Sequence, residues 1–197
     1  MKRVTITDIA RHLRLSPSTV SRALSGDKNI RQETKDIIFK AADSLGYRRN
    51  RLAVSLRSGK TNIVGVVVNQ MVASSTLHIL AGAEKTLHAE GINMMVANSE
   101  GDAERERSNI RMMEDINVDG LIIEACAHEM NVTEYLKLKN IGVPMVFVHS
   151  VPTGVIVSSV GYKEGGEAEP YLLGEKAAEL LLDIMNNRIQ FPERILI

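Results

Sequence analysis

Two helix-capping signals within the first 25 residues constrain the fold of this chain more than any other feature of its sequence. Thr5, followed three residues later by Asp8, is the pattern of a capping box, in which each side chain bonds a backbone N–H group of the other residue. Ser16 is a second N-cap residue, and Pro17 occupies the first helical position, where its missing N–H group costs nothing. The sequence therefore predicts two short helices joined by a tight turn.

Each of these two helices has an apolar inward face, and the second helix also has a distinctive outward face. The inward positions are Ile9, Ala10 and Leu13 in the first helix and Val20, Ala23 and Leu24 in the second. The outward face of the second helix consists of Pro17, Ser18, Ser21 and Arg22. Such a face can enter the major groove of DNA without steric conflict. The alternative is an ordinary helical hairpin whose polar face is solvated.

A third helix is predicted over residues 32–45, with Gly46 ending it as a C-cap residue. Its inward positions are Ile37, Ile38, Ala41, Ala42 and Leu45. Arg31 precedes the helix without offering a capping side chain, but it adds a positive charge. Three helices of this length bury little surface, so they predict a small domain of modest stability.

The formal net charge of zero conceals two segments of opposite sign. Residues 1–60 contain 14 Lys and Arg against 5 Asp and Glu, whereas residues 61–197 contain 10 against 19. A basic segment joined to an acidic one is typical of a protein in which one domain binds the phosphates of a nucleic acid and the other domain does not. Attachment to a membrane surface is the alternative, but no amphipathic helix with aromatic anchors is present. The charge distribution favours double-stranded DNA as the partner.

From residue 63 onward the sequence alternates between β-branched runs and helical periods. The predicted strands cover residues 63–68, 92–97, 120–123 and 143–148, and the predicted helices cover residues 77–90, 103–116 and 132–140. Alternation at this spacing predicts βαβ units with right-handed crossovers and a parallel sheet.

Several ungapped runs in the first 60 residues are similar to one known protein family. They are residues 5–10, 15–24, 46–48 and 50–59. Together they resemble the DNA-binding head and hinge of the LacI/GalR family of bacterial repressors. The resemblance is specific over about the first third of the chain and looser over most of the remainder. It implies a transcriptional repressor that binds a palindromic operator as a homodimer.

The resemblance also divides the chain. It implies a helix-turn-helix DNA-binding head over residues 1–49, a hinge helix over residues 50–60, and the first half of an effector-binding and dimerisation domain over residues 61–150. Residues 151–197 resemble a shortened remnant of the second half, followed by a C-terminal helix that packs back on the first half. The expected fold class is a small all-α helix-turn-helix head plus an α/β part. This part is a parallel sheet of βαβ units resembling one half of a periplasmic-binding-protein-like domain.

The resemblance assigns DNA contacts to particular positions of the head and hinge. Base contacts fall on Pro17, Ser18 and Arg22, and the guanidinium group of Arg22 suits a bidentate contact to guanine. Phosphate contacts fall on Thr5, Ser16, Thr19, Ser21, Asn29, Thr34, Tyr47 and Asn50. Ala53 and Leu56 are expected in the minor groove, where the leucines of two hinge helices wedge into a base step.

The hinge is expected to become helical only on DNA. An isolated helix of about nine residues is marginal in water because nucleation is costly. The alternative is that Leu52 and Leu56 merely pack on the head. Arg49 stands where the family commonly has proline, which makes the linker more basic.

A small-molecule effector, a sugar or a nucleobase, is the other partner that the resemblance implies. In the family the effector lies in a cleft between two halves, and this chain offers one wall of that cleft. The family's aromatic Asn-Pro-Phe-Phe segment is replaced here by residues 73–76. Ser75, Thr76 and His149 are the effector-binding candidates. The alternatives are a protein that binds DNA constitutively and one whose α/β part only dimerises.

The sequence contains no pattern that indicates catalysis, a cofactor or a metal ion. Residues 69–75, which follow the first strand, include no glycine, so the dinucleotide-binding fingerprint is missing. The cluster Gly161, Gly165 and Gly166 has neither that spacing nor a Walker lysine. The five histidines lack metal-ligand spacing. We therefore expect a protein that is not an enzyme and needs no cofactor or metal.

The cysteine content and hydropathy indicate the compartment. Cys126 is the only cysteine, so no intrachain disulfide can form, and a reducing environment is expected. Its position after an apolar run favours a small buried filler over a nucleophile. No signal peptide is expected, and no apolar run is long enough to span a bilayer. The expected location is the cytoplasm, in association with the nucleoid and without a membrane partner.

Overall fold

The computed structural model of the protein describes residues 4–48, 55, 59–126, 129–165, 169–189 and 192–197. The chain divides into two compact units, Met1–Ala53 and Val54–Ile197. The first unit is helical and the second is α/β. None of the described helices combines the length and the apolar character that crossing a membrane requires.

The N-terminal unit contains the helices α1 (Ile6–Leu13), α2 (Pro17–Leu24) and α3 (Gln32–Ser44). Both predicted N-caps are confirmed. Thr5 N donates to Asp8 Oδ2 at 2.9 Å, and Asp8 N donates to Thr5 Oγ1 at 3.3 Å. Thr19 N donates to Ser16 Oγ at 3.1 Å. Arg31 precedes α3 without a side-chain cap, as predicted.

These three helices enclose one small core. Its buried members are Ile9, Ala10, Val20, Ala23, Ile38, Ala41 and Ala42. The predicted inward position of Ile37 is wrong, because its side chain is 55% exposed. Ile38 lies in the middle of the buried stripe, and neighbouring residues of an α-helix point about 100° apart. Gly46 follows α3 in the left-handed region, with φ of 69°, which is the conformation expected after a helix end.

The second unit is a six-stranded sheet with four helices. In chain order its elements are β1 (Ile63–Val68), α4 (Ser74–Ala89), β2 (Asn93–Asn98), α5 (Ala103–Asp115), β3 (Gly120–Ile123), α6 (Val132–Asn140), β4 (Met145–Val148), β5 (Ser158–Gly161), α7 (Pro170–Met185) and β6 (Arg194–Leu196). The strand order is β2-β1-β3-β4-β5-β6. Every pair is parallel; Val66, for example, lies beside Val96 of β2 and Ile122 of β3. The α/β prediction is confirmed.

Helices cover both faces of this sheet. Val64, Val66 and Val68 point towards α4 and α7, whereas Val67 and the side chains of Leu121 and Ile123 point towards α5 and α6. Successive residues of a strand point to opposite faces, so a strand buried on both sides is apolar at every position. The α/β unit is therefore a three-layer sandwich, with the sheet between two layers of helices.

The helices α4 and α7 lie in close backbone contact. A Cβ atom added at Gly174 would lie 1.9 Å from Ile79 O, and one added at Gly82 would lie 2.1 Å from Tyr171 O. Neither distance leaves room for a methyl group. The two glycines therefore set the separation of these helices.

Several element boundaries differ from their predicted positions. The helix α4 begins at Ser74 rather than at residue 77, because no side chain caps it and the sequence carries no starting signal there. The strand β4 begins at Met145 rather than at residue 143, since Pro144 has no N–H group to donate to a neighbouring strand. The strand β2 is displaced by one residue.

Residues after β4 complete the same sheet. β5 pairs with β4 through Phe147 and Ser159, and β6 pairs with β5 through Val160 and Ile195. The helix α7 packs against α4 and covers the sheet. The family resemblance implies such a C-terminal helix. The strands β5 and β6 were not predicted, because β5 is short and half of it is serine.

Candidate nucleic-acid interface

The predicted base-contacting residues share one exposed face of α2. Pro17, Ser18 and Arg22 are exposed, whereas Val20 and Ala23 on the opposite side are completely buried. Positions i, i+1 and i+5 of a helix lie on one side of it, since 3.6 residues make one turn. The buried side fixes the helix to the head and leaves the polar side available to a ligand.

Three hydroxyl groups converge at the N-terminus of α2. Ser16 Oγ lies 2.8 Å from Ser18 Oγ and 2.8 Å from Thr19 Oγ1. Three hydroxyls carry three hydrogens, and these two contacts use two of them. One O–H group is left to donate outward, at the end of the helix whose dipole favours anions. This corner of the head therefore suits a phosphate oxygen.

The other side chains of the head that are predicted to contact phosphates differ in exposure and in the hydrogen bonds they already make. Thr5 Oγ1 donates to Asp8 Oδ2 at 2.7 Å, so the hydroxyl hydrogen of Thr5 is already used in the cap. Asn29 is exposed, while Ser21, Thr34 and Tyr47 are half-buried. Asn29 is available without rearrangement, whereas Thr5 must exchange one hydrogen-bond partner for another.

The predicted hinge falls mostly outside the described residues. Asn50, Ala53 and Leu56 are among those that the structure leaves undescribed. Within residues 50–60 it describes Ser55, Gly59 and Lys60, and Gly59 N donates to Ser55 O at 2.7 Å. The hinge helix and its minor-groove contacts stay predictions.

A row of polar side chains follows the carboxyl ends of four neighbouring strands in the α/β unit. We call Asn69, Glu124, His149 and Tyr162 the carboxyl-edge row; each is the first residue after β1, β3, β4 or β5. Asn69 N donates to Glu124 Oε2 at 3.2 Å. Glu124 Oε1 lies 3.6 Å from His149 Nε2, and the rings of His149 and Tyr162 lie 5.7 Å apart. Adjacent members of the row are thus in contact or close to it.

Two atoms of this row have unused hydrogen-bonding capacity. Among the described residues, Asn69 Oδ1 and Tyr162 OH are the buried side-chain polar atoms without a hydrogen-bond partner. Buried polar atoms in native proteins are nearly always paired, so each exception needs a reason. Burial, with a smaller contribution from Glu169, raises the pKa of Tyr162, and the phenol therefore keeps its proton at neutral pH.

The predicted effector residues do not form one cluster. His149 belongs to the carboxyl-edge row. Ser75 instead lines a surface cavity of about 600 Å³ at the N-termini of α4 and α7, together with His78 and Tyr171. Thr76 is only 2% exposed and offers almost no surface to a ligand.

Sequence reasoning missed Asn69, Glu124 and Tyr162. The usable signal was position, because the carboxyl ends of parallel strands meet at one edge of the sheet, where ligands of open α/β folds bind. The prediction instead followed the position of the family's aromatic segment, and that led to Ser75 and Thr76.

The cysteine has the properties of a structural residue. Burial, followed by hydrogen bonding to Glu106, raises the pKa of the Cys126 thiol to about 12. A protonated thiol is a poor nucleophile. Cys126 N donates to Glu106 Oε2 at 2.6 Å, and the fully buried Glu106 carboxylate also accepts from Asn131 and Tyr135. Over the described ranges, no three His, Cys, Asp or Glu residues form a group that could hold a metal ion.

Comparison with protein families identifies the head. Residues 5–50 match the model of "Bacterial regulatory proteins, lacI family". The HTH-type transcriptional regulator PtxS of Pseudomonas putida is 31% identical over 172 residues, which are 87% of this chain and 50% of PtxS. Catabolite control protein A of Staphylococcus aureus is 34% identical over 119 residues, which are 60% of this chain and 36% of that protein. The chain thus spans about half, or less, of the length of these curated relatives.

Solved structures share the fold. The lac repressor dimer bound to operator and the anti-inducer ONPF aligns with a TM-score of 0.71 and 20% identity, over 98% of this chain and 66% of that chain. The transcriptional regulator CelR in complex with cellobiose aligns with a TM-score of 0.57 and 15% identity, over 99% and 97% of the two chains. At these identities the likeness shows a helical head joined to a periplasmic-binding-protein-like α/β sheet.

Proposed function

The chain belongs to the LacI/GalR family of bacterial transcriptional regulators, and from that premise we propose that it is a sequence-specific DNA-binding repressor. Its homodimer binds a palindromic operator, with one head on each half-site. The observation that carries the proposal is the exposed face of α2, where Pro17, Ser18 and Arg22 lie on a rigidly capped helix. Such a protein acts on the nucleoid in the cytoplasm and needs no catalytic group or cofactor.

The residues of the head have distinct roles in this proposal. Arg22 donates two hydrogen bonds to guanine O6 and N7, Ser18 donates to or accepts from a base edge, and Pro17 makes apolar contact with a thymine methyl group. Phosphates are held by Ser16, Thr19 and the other polar candidates of the head, which position it without reading sequence. Ala53 and Leu56 of the hinge enter the minor groove.

Selection from a random duplex library tests the function directly. The wild-type chain should enrich a palindrome with two half-sites. Recovery of no preferred sequence, or of single unpaired sites only, contradicts the proposal of a dimeric reader.

Thr19→Ala should lower affinity for operator and for random DNA by about the same factor, because a phosphate contact carries no sequence information. The wild-type affinity should fall linearly on a logarithmic plot against salt, and the variant should show a similar slope, because it loses no positive charge. Fluorescence anisotropy at several salt concentrations measures both quantities. If Thr19→Ala instead changed which sequence is preferred, Thr19 would be a base-contacting residue.

A second candidate function, binding of a small polar effector, is supported by the unpaired atoms of the carboxyl-edge row. Asn69 Oδ1 can accept a hydrogen bond, and the protonated Tyr162 hydroxyl can donate or accept one. Ligands of open α/β sheets bind at this edge. Sugars and nucleobases both carry the donors and acceptors that such atoms require.

Titration of monosaccharides, disaccharides and nucleobases into the protein–operator complex should reveal a saturable change in operator affinity for one of them. Tyr162→Phe should weaken that response about tenfold, because it removes a hydroxyl available to the ligand. It should leave folding stability unchanged or slightly raised, since this buried hydroxyl has no partner in the fold and its removal relieves the cost of burying it. No response to any compound would favour the alternative, a constitutive DNA-binding protein.

A further inference from the structure

We propose that Asp27 is a positioning residue for DNA binding, because its carboxylate holds the turn that presents Asn29 to a phosphate. This inference rests on the proposed function, in which Asn29 is one of the phosphate contacts of the head. Both residues belong to the segment 25–31 between α2 and α3, which we call the α2–α3 loop. Asp27 is half-buried in this loop, whereas Asn29 is exposed.

Three hydrogen bonds connect Asp27 to its surroundings in the head. Its side-chain Oδ1 accepts from Asn29 N at 2.9 Å, which closes an Asx turn. Its backbone oxygen accepts from Ile30 N at 3.2 Å, and Ile30 packs against the core of the head. Its own N–H group donates to Arg22 O at 3.1 Å, in the last turn of α2. Asp27 thus links the base-contacting helix to the predicted phosphate contact.

The bond to Asn29 is the one that depends on the side chain of Asp27. Most residues could make the two backbone bonds, but an Asx turn requires a carboxylate or amide oxygen two residues before the N–H group. Without this oxygen, the backbone around Asn29 samples more conformations in the free protein. Ordering that backbone on DNA then costs conformational entropy, which lowers the affinity.

On charge alone, a carboxylate in the α2–α3 loop is unfavourable for DNA binding. Two like unit charges about 10 Å apart in water change a binding constant by about twofold, and salt reduces the effect further. Loss of one hydrogen bond can change a binding constant by about tenfold. Removal of Asp27 therefore has two effects of opposite sign, and positioning is the larger. Variants that separate the charge from the acceptor oxygen distinguish them.

Amide hydrogen exchange of the full chain, followed by NMR, tests the turn without DNA. Asp27→Ala removes the acceptor, so the amide hydrogen of Asn29 should exchange about tenfold faster. Asp27→Asn keeps an oxygen that can accept this bond and should exchange at about the wild-type rate. The amide of Ile38, in the core of the head, is the internal reference for folding. Equal exchange of Asn29 in the wild type and in Asp27→Ala overturns the proposal.

Affinity for the selected palindrome tests the consequence for DNA binding. Asp27→Ala should weaken binding about fivefold although it removes a negative charge. Asp27→Asn should bind as the wild type does, or up to about twofold more tightly, because it loses the charge and keeps the acceptor. Asp43→Ala removes an exposed carboxylate from the last turn of α3 and is the control for charge. If Asp27→Ala binds as tightly as Asp43→Ala, Asp27 has no positioning role.

A double-mutant cycle tests whether Asp27 acts through Asn29. Asn29→Ala should weaken binding to operator and to random DNA by about the same factor, as expected for a phosphate contact. Addition of Asp27→Ala to this variant should cause no further loss, so the coupling between the two changes should be about fivefold. Independent losses indicate general damage to the head and overturn the proposal. An unchanged affinity of Asn29→Ala also overturns it, because there is then no contact to position.

These measurements separate the positioning role from the proposed function. A wild-type chain that prefers no duplex overturns the proposed function. A wild-type chain that selects a palindrome, together with an Asp27→Ala variant that binds it at least as tightly, overturns the role of Asp27 alone.

Discussion

Replacing Gly174 with alanine should lower the free energy of unfolding of the α/β unit by about 3 kcal/mol, at the upper end for overpacking of a core. The added Cβ atom would lie 1.9 Å from Ile79 O, which is a backbone atom and cannot rotate away. The helices α4 and α7 must therefore move apart, and this loosens the apolar layer between them and the sheet. Urea denaturation followed by circular dichroism measures the loss.

Intrinsic helix propensity alone predicts the opposite effect, a higher free energy of unfolding for Gly174→Ala. Alanine is favoured over glycine by about 1 kcal/mol inside a helix, so a helix without this contact would gain stability. Gly82→Ala should destabilise as Gly174→Ala does, because its Cβ would lie 2.1 Å from Tyr171 O. Ala81→Gly, at the neighbouring exposed position of α4, should cost only about 1 kcal/mol. Stabilisation by either glycine substitution would show that the two helices are further apart than described.

Arg22→Ala should reduce discrimination between operator and random DNA by about 10- to 100-fold, equivalent to about 1–3 kcal/mol for one bidentate base contact. Its effect on non-specific affinity should be small, since that affinity depends on the total phosphate contact of the head. Competition between labelled operator and random duplex measures the ratio.

Lys40→Ala is the matched control for this prediction. Lys40 is exposed on α3, so its loss removes one positive charge without altering α2. Affinity for operator and random DNA should then fall together, or not at all. If Arg22→Ala still enriched the wild-type site from a random library, Arg22 would not be a base-contacting residue.

The elements that local chemistry specifies were predictable from the sequence. Thr5 with Asp8, and Ser16 with Pro17, start helices whatever lies around them, and the apolar run of β1 has few alternatives in an α/β protein. Ile37 was misplaced because it is as apolar as its neighbour Ile38, and only packing decides which of them faces inward. The strand Ser158–Gly161 escaped prediction because it gains its stability from pairing with β4 and from burial, which its own residues do not encode.

The candidate sites show the same difference between features that local sequence specifies and features that long-range packing creates. The face of α2 could be predicted because one helix places its residues, and their relative positions follow from helix geometry. The carboxyl-edge row could not be assembled from the sequence, because its four members are brought together by the order of strands in the sheet. Strand order depends on long-range pairing, and the hydrogen bond from Thr61 N to Asp119 Oδ1, between residues 58 positions apart, has the same origin.

Because α7 packs on the face of β1, it also determines the order in which parts of the protein can fold during synthesis. The core of the head consists of residues between Ile6 and Tyr47, so it can form as soon as they leave the ribosome. The layer over Val64, Val66 and Val68 stays incomplete until Leu173, Ala177 and Leu181 have been made, more than 100 residues later. A nascent chain would thus carry a folded head while the α/β unit that follows it is still incomplete. If the ribosome pauses before α7 has been made, the apolar surface of the sheet would be exposed to chaperones while the head is already folded.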